Sequence, residues 1–227
     1  MQVQINLKAR FATPFSVGTG VLGGTTADKP LLKDAAGVPY LPGSALKGLL
    51  RHETEKIVRA LWGDEAVCRS PNSATMCPQN RPQIQPFCPV CRIFGSPWRP
   101  SSLRFSDLKV EMSNREVAKK TDLRFGVSIS RYRNATVEER LYTIEVASTA
   151  QALFFQGTIE GYLPNEEGLR LLALVLVALR AVEAAGGGKS RGLGSVKLEA
   201  TTVEPVISDI KEVLEEWLTS PSMSQLP

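Results

Sequence analysis

The sequence predicts an α+β fold, an antiparallel sheet carrying helices, of the ferredoxin-like or RRM-like kind. Three observations lead there. Segments that alternate polar and apolar residues (2–11, 103–110, 141–146, 152–163 and 195–203) are separated by two segments of helical periodicity (44–62 and 169–185). Their order is β, α, β, then β, β, α, β. Finally, two stretches interrupt this order without adding core: a proline-rich one at 64–101 and a polar, basic one at 112–142. The chain therefore reads as one domain over 1–227, with 64–101 an insertion and 112–142 an arm.

The elements follow in order. Val3, Ile5 and Leu7 alternate with polar neighbours and open the sheet. Residues Gly18 to Pro30 hold four glycines in seven positions near their start, which predicts a flexible loop. Pro42-Gly43-Ser44 is a turn into a helix, with Ser44 as N-cap and Gly63 as the stop. Leu103 to Val110 reads as one strand. Leu141–Val146 and Ala152–Leu163 read as adjacent antiparallel strands. Asn165 is positioned to cap a helix that runs to Gly186, and Ser195–Val203 is the next strand. A last amphipathic helix spans about Ile207 to Leu218. Trp62, Trp98 and Trp217 are expected in core or interfaces.

Composition narrows the function. At 227 residues, 43% hydrophobic and 22% charged, the chain has enough apolar side chains for a core. The N-terminus lacks the apolar run of a secretory signal. The most apolar stretch, Leu171–Leu179, is far shorter than a membrane span and is flanked by Arg170 and Arg180. A cytoplasmic protein is expected. The net charge of +4 is uneven: residues from Glu204 onward carry −4, and 81–140 hold twelve Lys or Arg against six Asp or Glu. A basic body with arginine clusters suits a polyanion such as nucleic acid, although a solvated basic face gives the same count. His52 is the sole histidine, which excludes acid–base cleavage by a histidine pair.

The four cysteines are spaced Cys68-x8-Cys77-x10-Cys88-x2-Cys91. A Cys-Pro-x-Cys turn forms half of a tetrahedral zinc site, and two further thiolates complete it. Disulfides or free thiols are the alternatives, and His52 could replace one cysteine. A site with four protein ligands has no open position, so the zinc is expected to be structural.

Three motifs, taken together and in order, resemble the RAMP superfamily of CRISPR effector subunits. They are GGTTADKPLLKDAAGVPYLPGSALKGLLR, CPVCRIFG and GGGKSRGLGSV, spanning residues 23 to 196. The likeness is greatest to the repeated backbone subunit of type III complexes. It implies an RRM-like core that grips CRISPR guide RNA, an arm that bends the guide–target duplex, and stacking on other effector subunits, including copies or paralogues of itself. It also implies metal-dependent endonuclease cleavage of target RNA, with Asp28 at the position of the catalytic aspartate and Mg²⁺ or another divalent cation required. Asp34 is the next acidic residue, at a position that does not match.

The motifs also nominate RNA contacts. Gly43, Ser44, Lys47 and Arg51 combine a helix N-terminus with two cations. Gly187, Gly188, Lys189 and Arg191 offer close backbone approach, but this loop precedes a strand and so is no Walker loop. Arg131, Tyr132, Arg133 and Arg140 interleave arginine with an aromatic, as suits splayed bases and phosphates. The rival readings are a non-catalytic capping subunit, a processing ribonuclease for precursor CRISPR RNA, and a scaffold that binds only proteins.

Overall fold

A computed structural model describes residues 1–20, 27–69, 71–79, 87–148 and 152–219. In chain order the elements are β1 (Gln2–Phe11), β2 (Tyr40–Leu41), α1 (Gly43–Trp62), α2 (Pro89–Phe94), β3 (Leu103–Phe105) and β4 (Leu108–Val110). They continue with α3 (Arg115–Ala118), β5 (Thr121–Ser130), β6 (Ala135–Ala147), β7 (Leu153–Tyr162), α4 (Gly168–Ala181), β8 (Val196–Glu204) and α5 (Ile210–Thr219). The main sheet has the order β2-β4-β7-β1-β8, with β3 also paired to β7, and every pairing is antiparallel. With α1 following β1 and α4 following β7, this is the βαββαβ arrangement of a ferredoxin-like sandwich, as the element order predicts.

The period of two in β1 buries Val3, Ile5, Leu7, Ala9 and Phe11 on one face. Those residues meet Leu46, Leu50 and Val58 of α1 and the apolar side of α4, Leu171 to Leu179, in one core. Each of these side chains larger than alanine contributes roughly 1.5–3 kcal/mol by leaving water. Beyond β1 the core closes with three rings. Phe11 stacks on Phe15 at 4.4 Å, and Phe155 meets both edge-on at 5.2 and 5.4 Å. Phe15 also pairs through its backbone with Ala147, whose N–H donates to the Phe15 carbonyl at 2.9 Å. The base of the arm is thereby tied to the core.

Several local expectations are corrected. Leu141–Val146 does not lie beside the 152–163 strand: β6 pairs with β5 in a separate two-stranded sheet, while β7 pairs with β1. Alternation reveals that a segment is a strand but not which strand it joins. The segment 103–110 splits at Ser106-Asp107, where the Ser106 hydroxyl accepts the Thr158 N–H at 2.7 Å and the Asp107 carboxylate accepts the Gly43 N–H at 2.8 Å. Pro42, not Ser44, is the N-cap residue of α1, and no side chain caps it. Asn165 does not cap α4, which starts at Gly168; its side chain accepts from the N-terminal amine of Met1 instead. α4 ends at Ala181, because Ala184 pairs with Ser195. Trp217 is buried against Trp62 with ring centroids 4.8 Å apart, whereas Trp98 is exposed. Among the described residues, no helix is long and apolar enough to cross a membrane.

Candidate functional site

The stretch 64–101 is organised by its cysteines. Cys68, Cys77, Cys88 and Cys91 are all buried, none forms a disulfide, and their sulfurs all lie within 4.8 Å of one another. Pro89 at the first turn starts α2 directly after Cys88, so the Cys91 N–H points back at the Cys88 sulfur, 3.4 Å away. The Cys88 N–H likewise donates to the Cys77 sulfur at 3.3 Å. The sulfurs of Cys68 and Cys91 are 3.4 Å apart, and those of Cys68 and Cys88 are 3.9 Å apart. Zinc–sulfur bonds of about 2.3 Å in a tetrahedron require roughly 3.8 Å between sulfurs. Mutual hydrogen bonding divides the four thiols, lowering Cys68 and Cys88 and raising Cys77 and Cys91. Four soft, buried donors at this spacing fit a metal such as zinc. His52 is not among them.

Helix α1 carries the next group of predicted residues in different directions. Gly43 is buried, and a Cβ there would lie 2.1 Å from the Phe105 carbonyl oxygen, so glycine is required for packing. Ser44 is exposed at the helix start. Lys47 is half-buried and makes no salt bridge among the described residues; burial and the charge of Arg51 hold its ammonium below the usual lysine range. Arg51 turns inward, to the Gly95 carbonyl, the Cys91 sulfur and the Glu55 carboxylate. On a further flank, Ala45, Gly48 and His52 line a groove of about 460 Å³ whose opposite wall is Gly186, Gly187 and Lys189. Two motifs 140 positions apart thus form the two walls of one groove.

The glycine-rich loop is shaped by the chain it rests on. Its ends are pinned by the Ala184–Ser195 bridge and by the Ala185 N–H on the Gly194 carbonyl at 2.8 Å. Gly194 has φ +75°, and a Cβ there would lie 2.0 Å from the Ala185 carbonyl oxygen. The Gly187 N–H donates to the Ser16 carbonyl at 2.7 Å. A short 3-10 turn over Lys189–Arg191 presents both cations to solvent.

Asp28 lies where this loop, the arm and the segment after Ala27 converge. Instead of hanging free, the segment is stitched to β6. The Lys29 N–H donates to the Thr143 carbonyl at 3.1 Å, and the Lys29 carbonyl accepts from Glu145 at 3.1 Å. Asp28 Oδ2 accepts both the Thr143 N–H at 2.6 Å and its hydroxyl at 3.0 Å. Those two bonds hold the exposed carboxyl below the ordinary aspartate range. Such a group is a poor proton acceptor and a good anionic ligand. Beside it, Lys29 sits over the Tyr142 ring at 5.6 Å, and Arg191 lies 5.8 Å from the same ring while donating to the Tyr142 hydroxyl. Glu145 joins the segment to the arm by accepting from the Leu31 N–H at 3.0 Å, Lys33 at 2.5 Å and Thr121 at 2.8 Å. The rival carboxylate, Asp34, is engaged in a turn, accepting from Ala36 and Val38 at 2.9 Å and from Arg115 at 3.3 Å.

The remaining arginines are elsewhere. Arg131 and Arg133 flank Tyr132 in the turn at the arm tip, where Tyr132 is 95% exposed. Eight residues of strand, 135–142, separate that turn from Thr143, about 30 Å of extended chain. Arg140 is exposed along the arm. Sequence reasoning missed Lys29, Tyr142, Thr143 and Glu145. The only signal for the last three was the alternation in LYTIEV, which marks a strand but not its neighbours; Lys29 stands next to Asp28 in its motif.

No curated protein matches the chain. The family model for the RAMP superfamily matches residues 8–197, a span that contains the cysteine cluster, both groove walls, the arm and Asp28. That match covers most of the chain, and with it come a CRISPR-associated RNA-binding role and CRISPR RNA and other complex subunits as partners. The chain belongs to the RAMP superfamily.

Proposed function

We propose that the chain is a backbone-type subunit of a type III CRISPR ribonucleoprotein, working in the cytoplasm, that binds guide RNA and cleaves guide-paired target RNA. It acts as one domain over 1–227, with 64–101 as a zinc-stabilised insertion and 112–142 as the core of the arm. The observation that carries this reading is the meeting of three segments at Tyr142-Thr143: Asp28 accepts from Thr143, while its neighbour Lys29 and the loop residue Arg191 lie against the Tyr142 ring.

Each part has a physical role. The groove supplies Gly187 and Lys189 to the guide backbone, and Ser44, Lys47 and Gly188, on the same two segments but outside its lining, extend that contact, since amides and cations suit phosphate. Arg131 and Arg133 at the arm tip contact RNA about 30 Å further along. Lys29 and Arg191 hold a phosphate near Asp28. A hard divalent cation such as Mg²⁺ needs only one or two carboxylates besides substrate oxygens, a demand that the exposed Asp28 carboxylate fits. When bound, the ion would polarise the scissile phosphate. The chain's own contribution is to keep Asp28 ionised and aimed, through Thr143.

One observation favours a second reading. Asp28 already accepts two bonds from Thr143, as a purely structural carboxylate would in a non-catalytic capping subunit. Guide-loaded complexes containing wild-type or Asp28→Ala chain, given end-labelled complementary RNA and Mg²⁺, separate the two. Loss of regularly spaced cuts with unchanged target binding assigns the chemistry to Asp28. An unchanged cutting pattern leaves an RNA-gripping subunit.

A further inference from the structure

Arg51 stands in the GSALKGLLR motif, where a cation two turns into a helix reads naturally as an RNA contact. Its surroundings point the other way. The side chain is only 17% exposed, and each of its donor groups has a partner inside the protein. Nη1 donates to the Gly95 carbonyl at 2.7 Å, Nη2 to the Cys91 sulfur at 3.5 Å, and Nε to Glu55 at 3.0 Å.

Those partners are not scattered. Cys91 lies in α2, and Gly95 closes the same helix, its N–H donating to the Cys91 carbonyl at 2.9 Å. Arg51 therefore grips one cysteine sulfur and the far end of the single turn that carries both Cys88 and Cys91. Glu55, one turn further along α1, holds the guanidinium from behind and also reaches Arg59 at 3.8 Å.

Four thiolates around a divalent cation leave a net charge of about −2, and burying that charge is costly without a partner. A guanidinium keeps its charge in any environment, and its rigid planar fork serves a sulfur, a carbonyl and a carboxylate from three nitrogens, whereas a lysine ammonium is a compact point charge without that fork. We propose that Arg51 is a positioning residue for the four-cysteine metal centre, offsetting its charge and fixing the Cys88–Cys91 turn, and that it is not a phosphate ligand. This rests on the reading of the cysteine cluster as a metal centre.

The geometry of α1 accommodates both tasks without sharing residues. Consecutive helical residues project about 100° apart, so Arg51 faces the cysteines while His52 lines the groove.

The test uses the full chain, prepared with zinc, as wild type, Arg51→Lys and Arg51→Met. Zinc affinity is read by competition with a chromogenic chelator, and cobalt in place of zinc reports the thiolate set through its charge-transfer absorption. Arg51→Met should lose metal affinity by about 10–100-fold, the range for outer partners of metal ligands, and Arg51→Lys by less. At saturating zinc, Arg51→Met should bind single-stranded RNA with the wild-type salt dependence; if Arg51→Met fails to fold, the neutral, polar Arg51→Gln carries both measurements. Unchanged metal affinity in the variants overturns the proposal, as does a salt slope lowered by about one phosphate contact at saturating zinc. A wild-type chain whose cobalt form has no thiolate band sinks the metal centre itself, which distinguishes that failure from a failure of Arg51's role.

Discussion

Asp28 and Thr143, 115 positions apart, close a ring of three hydrogen bonds: the threonine N–H and hydroxyl donate to Asp28 Oδ2, and the Asp28 N–H donates to the same hydroxyl at 2.9 Å. The arm therefore does more than project from the sheet. Its inner end sets where the carboxylate points, so arm and carboxylate move together.

Replacing Thr143 with valine keeps the shape and the backbone bond but removes the hydroxyl from both of its bonds. Target cleavage by the assembled complex should fall about tenfold or more, as expected for a misaimed reacting group, with guide binding unchanged. Wild-type cutting by Thr143→Val would sever the link between this ring and catalysis.

Glu145 anchors the same segment from the buried side. Glu145→Gln removes the ion pair to Lys33 and weakens the bonds from Leu31 and Thr121. A loss of roughly 1.5–3 kcal/mol is expected, the range for hydrogen bonds to a charged group, read from urea unfolding. Faster proteolysis between 27 and 33 should accompany it.

These two carboxylates also set an acid limit. Burial raises Glu145, but hydrogen bonds from Lys33, the Leu31 N–H and Thr121 outweigh it and leave its pKa lowered; that of Asp28 is lowered by Thr143. A depressed folded pKa gives stability that is present above the unfolded value and lost as pH falls through the folded one. The stability gap between wild type and Glu145→Gln should thus hold at neutral pH and close below the ordinary carboxylate range. Urea midpoints from pH 2 to 7 measure it, and a gap that widens on acidification would contradict the assigned bonds.

The cysteine centre predicts one zinc per chain by elemental analysis of protein prepared without chelators. Cys88→Ser with Cys91→Ser should abolish it and lower the thermal midpoint, because the four sulfurs join Cys68, Cys77 and the Cys88–Cys91 turn at one point. A metal-free wild-type chain of equal stability would refute the assignment.

Phe15 joins the core to the arm base through its ring and its backbone bond to Ala147. Phe15→Ala should cost about 3–5 kcal/mol, as for a large aromatic removed from a packed core. Hydrogen exchange should show the base of β5 and β6 losing protection with it.

Much of this was legible before any coordinates. The alternation in β1, the helical spacing from Leu46 to Leu61 and the apolar run in α4 are local signals, and they produced a ferredoxin-like sandwich because each side chain's neighbours along the chain reveal its face. The cysteine set was equally legible, since ligand type and the Cys-Pro-x-Cys turn are local too. The partner of Leu141–Val146 was not, nor the break at Ser106-Asp107, nor the N-cap of α4. Each depends on a group contributed from a distant segment.

The sequence by itself determined the element types, the core faces, the thiol cluster and the motifs that mark a RAMP chain. Only the tertiary structure decided what each motif residue faces. Lys47 and Arg51 share a helix and a charge, yet Lys47 has no salt-bridge partner among the described residues while Arg51 is bonded to a cysteine and a carbonyl. Asp28 reads as a loose loop residue but is docked on a strand 115 positions away. Periodicity records which face of an element is buried, because that is a property of successive residues. Which group stands opposite depends on chain crossings and on backbone donors and acceptors that must find partners, and those are fixed only when the sheet, the arm and the two loops close on one another.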